Sequence, residues 1–176
     1  SKNSIQAKVP NEGDLKAPEG QVHVIVAQAG KIVTQREVCD SSAEGVARLS
    51  VLERYGNGRS PANGYVRGFG KLNGAIASSV GHDSHNLIVV GSDPKDMRMA
   101  LAGLIESGGG FAVATGGSVV AQLELPFGGL MSEKTPADLS GQIKALKEAS
   151  RSIGCELEEP FLQLAFLSLP VIPSLK

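Results

Sequence analysis

Ser79 to Val90 reads SVGHDSHNLIVV, with His82, Asp83, Ser84, His85 and Asn86 standing between two apolar runs. The chain has three histidines in all, so most of its imidazole is concentrated in this one connection. Two imidazoles at i and i+3 converge where a segment turns and point to opposite faces where it stays extended. With Asp83 fixing the tautomer of one ring, such a set can move protons or support a metal ligand from behind. The same residues also make an ordinary polar turn, in which Asp83, Ser84 and Asn86 satisfy backbone groups. On local pattern alone the turn is the better account. A complete metal site needs three or four ligands, and His23 is the one further imidazole, so no metal centre is expected in this chain.

Other segments invite chemistry and fail on spacing. Gly108-Gly109-Gly110 follows a helical pattern instead of opening one, so it offers no helix start to a phosphate and is neither a Walker loop nor a dinucleotide fingerprint. Ser78 and Ser79 lie near His82 and Asp83, but no GxSxG elbow is present and adjacency in sequence rarely gives triad geometry. The HxE and PCxxC signatures of zinc-dependent deaminases are absent. LPFGGLMS at 125–132 is an apolar loop bent by proline and glycine, of the kind that is useful when buried against a partner.

The elements that must position these residues are legible in part. Residues 1–20 are polar and lack periodicity, as in a linker or an arm lying on something else. The domain proper is expected over 21–176. VHVIVAQ and KIVTQREV flank Ala29-Gly30, which suits a tight hairpin turn. ARLSVLERYG, YVRGFGKLNG and AIASSVG read as strands around the loop GNGRSPANG. LIVVG is a short buried strand. After it, Ser92 or Asp93 can cap a helix over about 94–107, with Pro94 in its first turn and Gly108 as its left-handed stop. Met97, Leu101, Leu104 and Ile105 give that helix one apolar stripe. FAVATGGSVVAQLEL predicts two strands joined at Gly116-Gly117. A second helix over about 136–153 has Thr135 as its cap and Leu139, Ile143, Leu146 and Ile153 as its buried face, and FLQLAFLSLPVIP is expected to close the chain as an apolar strand. The sum is an α+β domain, a mixed or antiparallel sheet of eight to ten strands with two main helices.

Composition narrows the function classes. A net charge of −1 from 17 basic and 18 acidic residues gives no electrostatic pull on nucleic acid or an anionic membrane. Aromatic content of 4% without tryptophan is poor material for stacking bases. No apolar run is long enough to span a bilayer, and the first twenty residues lack the apolar core of a signal peptide. Cys39 and Cys155 match no CxxC pattern and are expected as reduced thiols in a cytoplasmic protein.

ASSVGHDSHNLIVVGSDPKDM, IESGGGFAV, LELPFGGLMS and PFLQLAFLSLPVIPSLK, in that order, strongly resemble the C-terminal domain of bacterial and archaeal adenine deaminase, from about Val22 to the end. The resemblance departs at Gly81, where alanine is typical, and at Phe127-Gly128. It implies hydrolysis of adenine to hypoxanthine and ammonia in purine salvage, by an amidohydrolase-superfamily enzyme using manganese or iron. In the family that centre lies in a barrel domain preceding this region, and the barrel's HxH ligand pair is missing from these 176 residues. The chain alone is therefore expected to lack the catalytic barrel, to hold no cofactor and to be inactive. His82, Asp83 and His85 become candidates for supporting catalysis, and Ser84 and Asn86 for touching substrate, outside the metal's own ligands. Adenine, the barrel and further copies in a homo-oligomer are the implied partners. The alternative is a non-catalytic module, structural or ligand-binding, that supports a barrel or an oligomer.

Overall fold

The structure is a computed structural model that describes residues 5–32, 35–81, 86–126 and 133–167. Its strands are β1 (Gln21–Val26), β2 (Gln35–Asp40), β3 (Val46–Leu52), β4 (Ala62–Arg67), β5 (Ala75–Ser78), β6 (Leu87–Gly91), β7 (Gly110–Thr115) and β8 (Ser118–Glu124). They form one eight-stranded sheet in the order β2-β1-β4-β3-β6-β5-β7-β8. Only β1 and β4 run parallel, and every other neighbouring pair is antiparallel. Helices α1 (Pro94–Ser107), α2 (Pro136–Ser152) and α3 (Pro160–Leu167) complete the α+β fold expected from the sequence.

Side-chain alternation splits the core into two layers, one on each face of the sheet. Ile76 on β5, Ile88 and Val90 on β6 and Val113 on β7 face one way, where Leu146 and Ile153 of the α2 end and Leu164 and Leu167 of α3 cover them. Ala75, Ala77, Leu87, Val89, Ala112 and Ala114 face the other way, against Met97, Leu101 and Leu104 of α1. Four alanines on that face let α1 lie close to the sheet. Strands β5 and β6 are buried on both sides, which is why LIVV reads as an unbroken apolar run. The N-terminal segment joins the α1 face. Ile5, Ala7 and Leu15 are buried there, and the Gln6 N–H donates to the Arg54 carbonyl at 2.8 Å.

Local signals act where they were read. The Asp93 carboxylate caps α1 by accepting the Asp96 N–H at 2.9 Å, and Pro94 occupies the first turn. At the other end Gly108, at φ 80°, lets its own N–H reach the Ile105 carbonyl while the Gly109 N–H reaches that of Leu104. That pair of bonds is the Schellman closure. Gly116 and Gly117 both take positive φ, as the two-residue β7–β8 turn requires.

Three expectations are corrected. Residues 161–167, expected as the start of a strand, lie in α3 instead. A continuously apolar run satisfies both a two-residue and a 3.6-residue period, and Pro160 opens the helix on a sheet face left bare by α2. The remainder of that run, 168–176, lies outside the described residues. Ile143, expected in the α2 core, is 41% exposed. In the first half of α2 only Leu139 packs against the core, as a half-buried residue, and full burial begins at Leu146. The turn between β1 and β2 does fall at Ala29-Gly30, with the Lys31 N–H bonded to the Gln28 carbonyl, but no tight hairpin forms. Val26 pairs with Gln35, so the connection runs over 27–34. Gln163 of α3, 2% exposed, holds this loop by accepting the Gly30 N–H and donating to the Lys31 carbonyl.

Candidate functional site

Register places several unusual segments at one end of the sheet. Leu52 lies opposite Leu87, Val51 opposite Ala62, Ser78 opposite Phe111 and Gly110 opposite Glu124. Chain connectivity then sends the 53–61 loop, the 79–86 connection, the Gly108-Gly109 joint and the segment after Glu124 out of the same edge. Of the residues singled out for chemistry, Asn86 is half-buried and directly precedes β6. His82, Asp83, Ser84 and His85 lie outside the described residues, as do 127–132 of the LPFGGLMS loop.

Two serines frame the start of the 79–86 connection. Ser78 and Ser79 are fully buried. The Ser78 hydroxyl accepts the Val80 N–H at 2.9 Å, closing a tight turn on itself. The Ser79 hydroxyl accepts the Gly110 N–H at 2.7 Å, and the Ser79 N–H returns a bond to the Gly110 carbonyl at 3.0 Å. Neither serine faces solvent, so neither can serve as a nucleophile. Their work is to fasten the connection to β7.

The glycine triplet is the other half of that fastening. Gly110 sits at φ 125°, and a Cβ there would stand 1.8 Å from the Leu123 carbonyl oxygen. Only glycine permits β8 to approach so closely. The Gly109 carbonyl accepts the Leu125 N–H at 3.0 Å and the Ser107 hydroxyl at 3.1 Å. The triplet is a structural joint with its polar groups bonded inward, which leaves no phosphate cradle.

The sequence did not single out Arg54. It follows β3 at this same edge and is 4% exposed, so a guanidinium has been carried almost wholly into the interior. Beside it, the Glu53 carboxylate gathers the Tyr55 N–H at 2.7 Å and the Asn57 N–H at 3.1 Å, which shapes the start of the 53–61 loop. Between that loop and the N-terminal segment is a cleft of about 300 Å³ lined by Lys8, Asn11, Asp14, Glu53 and Arg59, among others. No local signal marks a buried arginine, since the same residue type usually ends an exposed strand.

Metal chemistry finds no purchase among the described residues, where no three His, Cys, Asp or Glu side chains come together to hold an ion. His23 is on β1, three strands away from β6, or about 14 Å at the usual strand spacing. It also lies on an exposed position opposite Val38. Among the described residues no helix is long and apolar enough to cross a membrane.

Comparison with known proteins accounts for nearly the whole chain. A family profile described as the adenine deaminase C-terminal domain matches residues 24–176. Adenine deaminase of Shewanella halifaxensis is 45% identical over 181 residues, covering 99% of this chain but 31% of the relative. The adenine deaminase of Bdellovibrio bacteriovorus is 48% identical over 162 residues, 89% of this chain and 28% of its own length. A Cereibacter sphaeroides adenine deaminase is 50% identical over 163 residues, covering 87% and 29% respectively. The chain thus spans just under a third of the length of these curated relatives.

Proposed function

The chain belongs to the adenine deaminase C-terminal domain family, and on that premise we propose that it serves a hydrolase converting adenine and water to hypoxanthine and ammonia. The observation that carries this reading is the match over residues 24–176 together with relatives of the same name at 45–50% identity. In the complete enzyme this domain packs beside a barrel that bears the reactive centre, and it works in the cytoplasm, in purine salvage, as a homo-oligomer.

Manganese or iron, which the family resemblance implies for the complete enzyme, does not fit the described residues of this domain, because they supply no ligand set. What this chain contributes is the 79–86 connection. Its N-terminal end is fastened by the Ser78 and Ser79 hydroxyls, and a fixed frame is what a positioning group needs. His82, Asp83 and His85 suit proton handling at the purine edge, since neutral imidazole both donates and accepts and a carboxylate selects its tautomer. Ser84 and Asn86 suit hydrogen bonding to ring nitrogens. A turn that only joins two strands could be built from Asn, Asp and Gly without histidine.

The test is substitution of His82 or His85 by Asn in the full-length enzyme. Turnover of adenine should fall while melting temperature and metal content stay nearly unchanged. Full activity in both variants, or loss through unfolding alone, would make the segment a structural turn.

A further inference from the structure

At the opposite end of the sheet, on the α1 face, a second cavity of about 300 Å³ lies between the starts of β3 and α1. Its walls include Ser41, Arg48, Tyr65 and Ser92, with Glu19 on the N-terminal segment at its rim. That segment is pinned over the cavity. The Tyr65 hydroxyl donates to the Ala17 carbonyl at 3.3 Å, and the Gly20 N–H donates to the Ser41 hydroxyl oxygen at 3.1 Å.

Arg48 is incompletely satisfied there. Its Cζ stands 5.9 Å from the centre of the Tyr65 ring, at the outer edge of cation–π range. Nη2 meets one oxygen of Glu19 at 3.3 Å, a carboxylate whose side chain is 74% exposed. Nη1 is buried and, among the described residues, has no hydrogen-bond partner. A buried donor left unpaired needs an explanation, and a place kept for a small anionic ligand is a standard one. Ser41 adds to this. Its oxygen accepts from Gly20, and among the described residues no acceptor is found for its own proton. Ser42 and Ser92 are already engaged, with Asp40 and Gly74 respectively.

We propose that a small oxyanion, a carboxylate or phosphate group, takes the place of the Glu19 carboxylate in this cavity, held by the Arg48 guanidinium and the Ser41 hydroxyl. A guanidinium presents its donors as a fork that matches two oxygens of such a group, whereas Glu19 engages it through a single oxygen. An exposed ion pair of this kind contributes little, so an incoming anion can displace it. The site is separate from the 79–86 connection and does not rest on the adenine deaminase reading.

Thermal shift and calorimetric titration of this chain, with inorganic phosphate in one arm and acetate in the other, against chloride at matched ionic strength, test the proposal. At least one of the two anions should stabilise the wild type with saturable binding, and the responding arm identifies the chemistry. Glu19→Ala should tighten binding about fivefold, the displacement of one surface ion pair. Arg48→Met should abolish it, and Ser41→Ala and Arg48→Lys should weaken it. If Arg48→Met does not fold, the Arg48→Lys and Ser41→Ala variants carry the comparison. Absence of a saturable effect from either anion in both wild type and Glu19→Ala overturns the proposal. So does binding that is unchanged in Arg48→Lys and Ser41→Ala.

Discussion

Gly110→Ala should be among the most damaging single-atom-scale changes available in this protein. Two penalties coincide at that position. Its φ of 125° is one that an L side chain takes only under strain, which costs about 1–3 kcal/mol. The new Cβ would also lie 1.8 Å from the Leu123 carbonyl oxygen, so β7 and β8 must separate locally. That movement pulls on the Ser79–Gly110 pair of hydrogen bonds and on the bond from the Leu125 N–H to the Gly109 carbonyl, each contributing about 0.5–1.5 kcal/mol. Together they predict a loss of about 4 kcal/mol. Gly58 provides the control, because its φ is 74° and nothing lies within 4 Å of the position an added methyl would take. Gly58→Ala should therefore cost only the backbone strain, about 1 kcal/mol. Urea unfolding followed by far-UV circular dichroism reads the difference. With a slope of about 2 kcal/mol/M, Gly110→Ala should lower the midpoint by about 2 M and Gly58→Ala by about 0.5 M. Equal midpoints for the two variants would refute the close approach of β8 to Gly110 and the fastening built on it.

Leu101→Ala, which empties a fully buried position against the alanine-lined sheet face, should cost about 2–5 kcal/mol in the same assay, whereas Ile143→Ala, at a position 41% exposed, should stay within about 1 kcal/mol. Supplying manganese or iron to this chain alone should yield no turnover when adenine absorbance is followed, and robust turnover would overturn the assignment of the chemistry to another domain. Burial pushes the Cys155 thiol up from its ordinary value. A thiol raised in the fold contributes stability that is fully present below the unfolded value and is lost as pH rises through the folded one. The wild type should therefore lose more stability than Cys155→Ala between about pH 8 and about pH 10, and parallel curves would contradict the burial. For the same reason a thiol reagent should label half-buried Cys39 well before Cys155 in the native protein.

What the sequence determined by itself was whatever is decided within a few residues. The α1 boundaries follow from Asp93, Pro94 and Gly108, and its stripe from Met97, Leu101 and Leu104, because caps and 3.6-residue spacing act inside one helix. The β7–β8 turn follows from Gly116 and Gly117, which alone accept two successive positive φ values. The polar character of His82–Asn86 is equally local and equally legible. Tertiary structure decided the rest. Residues 160–167 could satisfy either period, and only the bare sheet face beside α2 selects a helix there. Ile143 has the spacing of a core residue yet is exposed, while Leu139 and Leu146 of the same helix pack against the core. The parallel pairing of β1 with β4, the burial of Arg54, and the gathering of the glycine triplet, the 53–61 loop and the 79–86 connection at one edge all depend on strand order. Strand order joins residues tens of positions apart. It is set by which faces can be buried together, a property of the whole packed sheet that no short stretch of sequence carries.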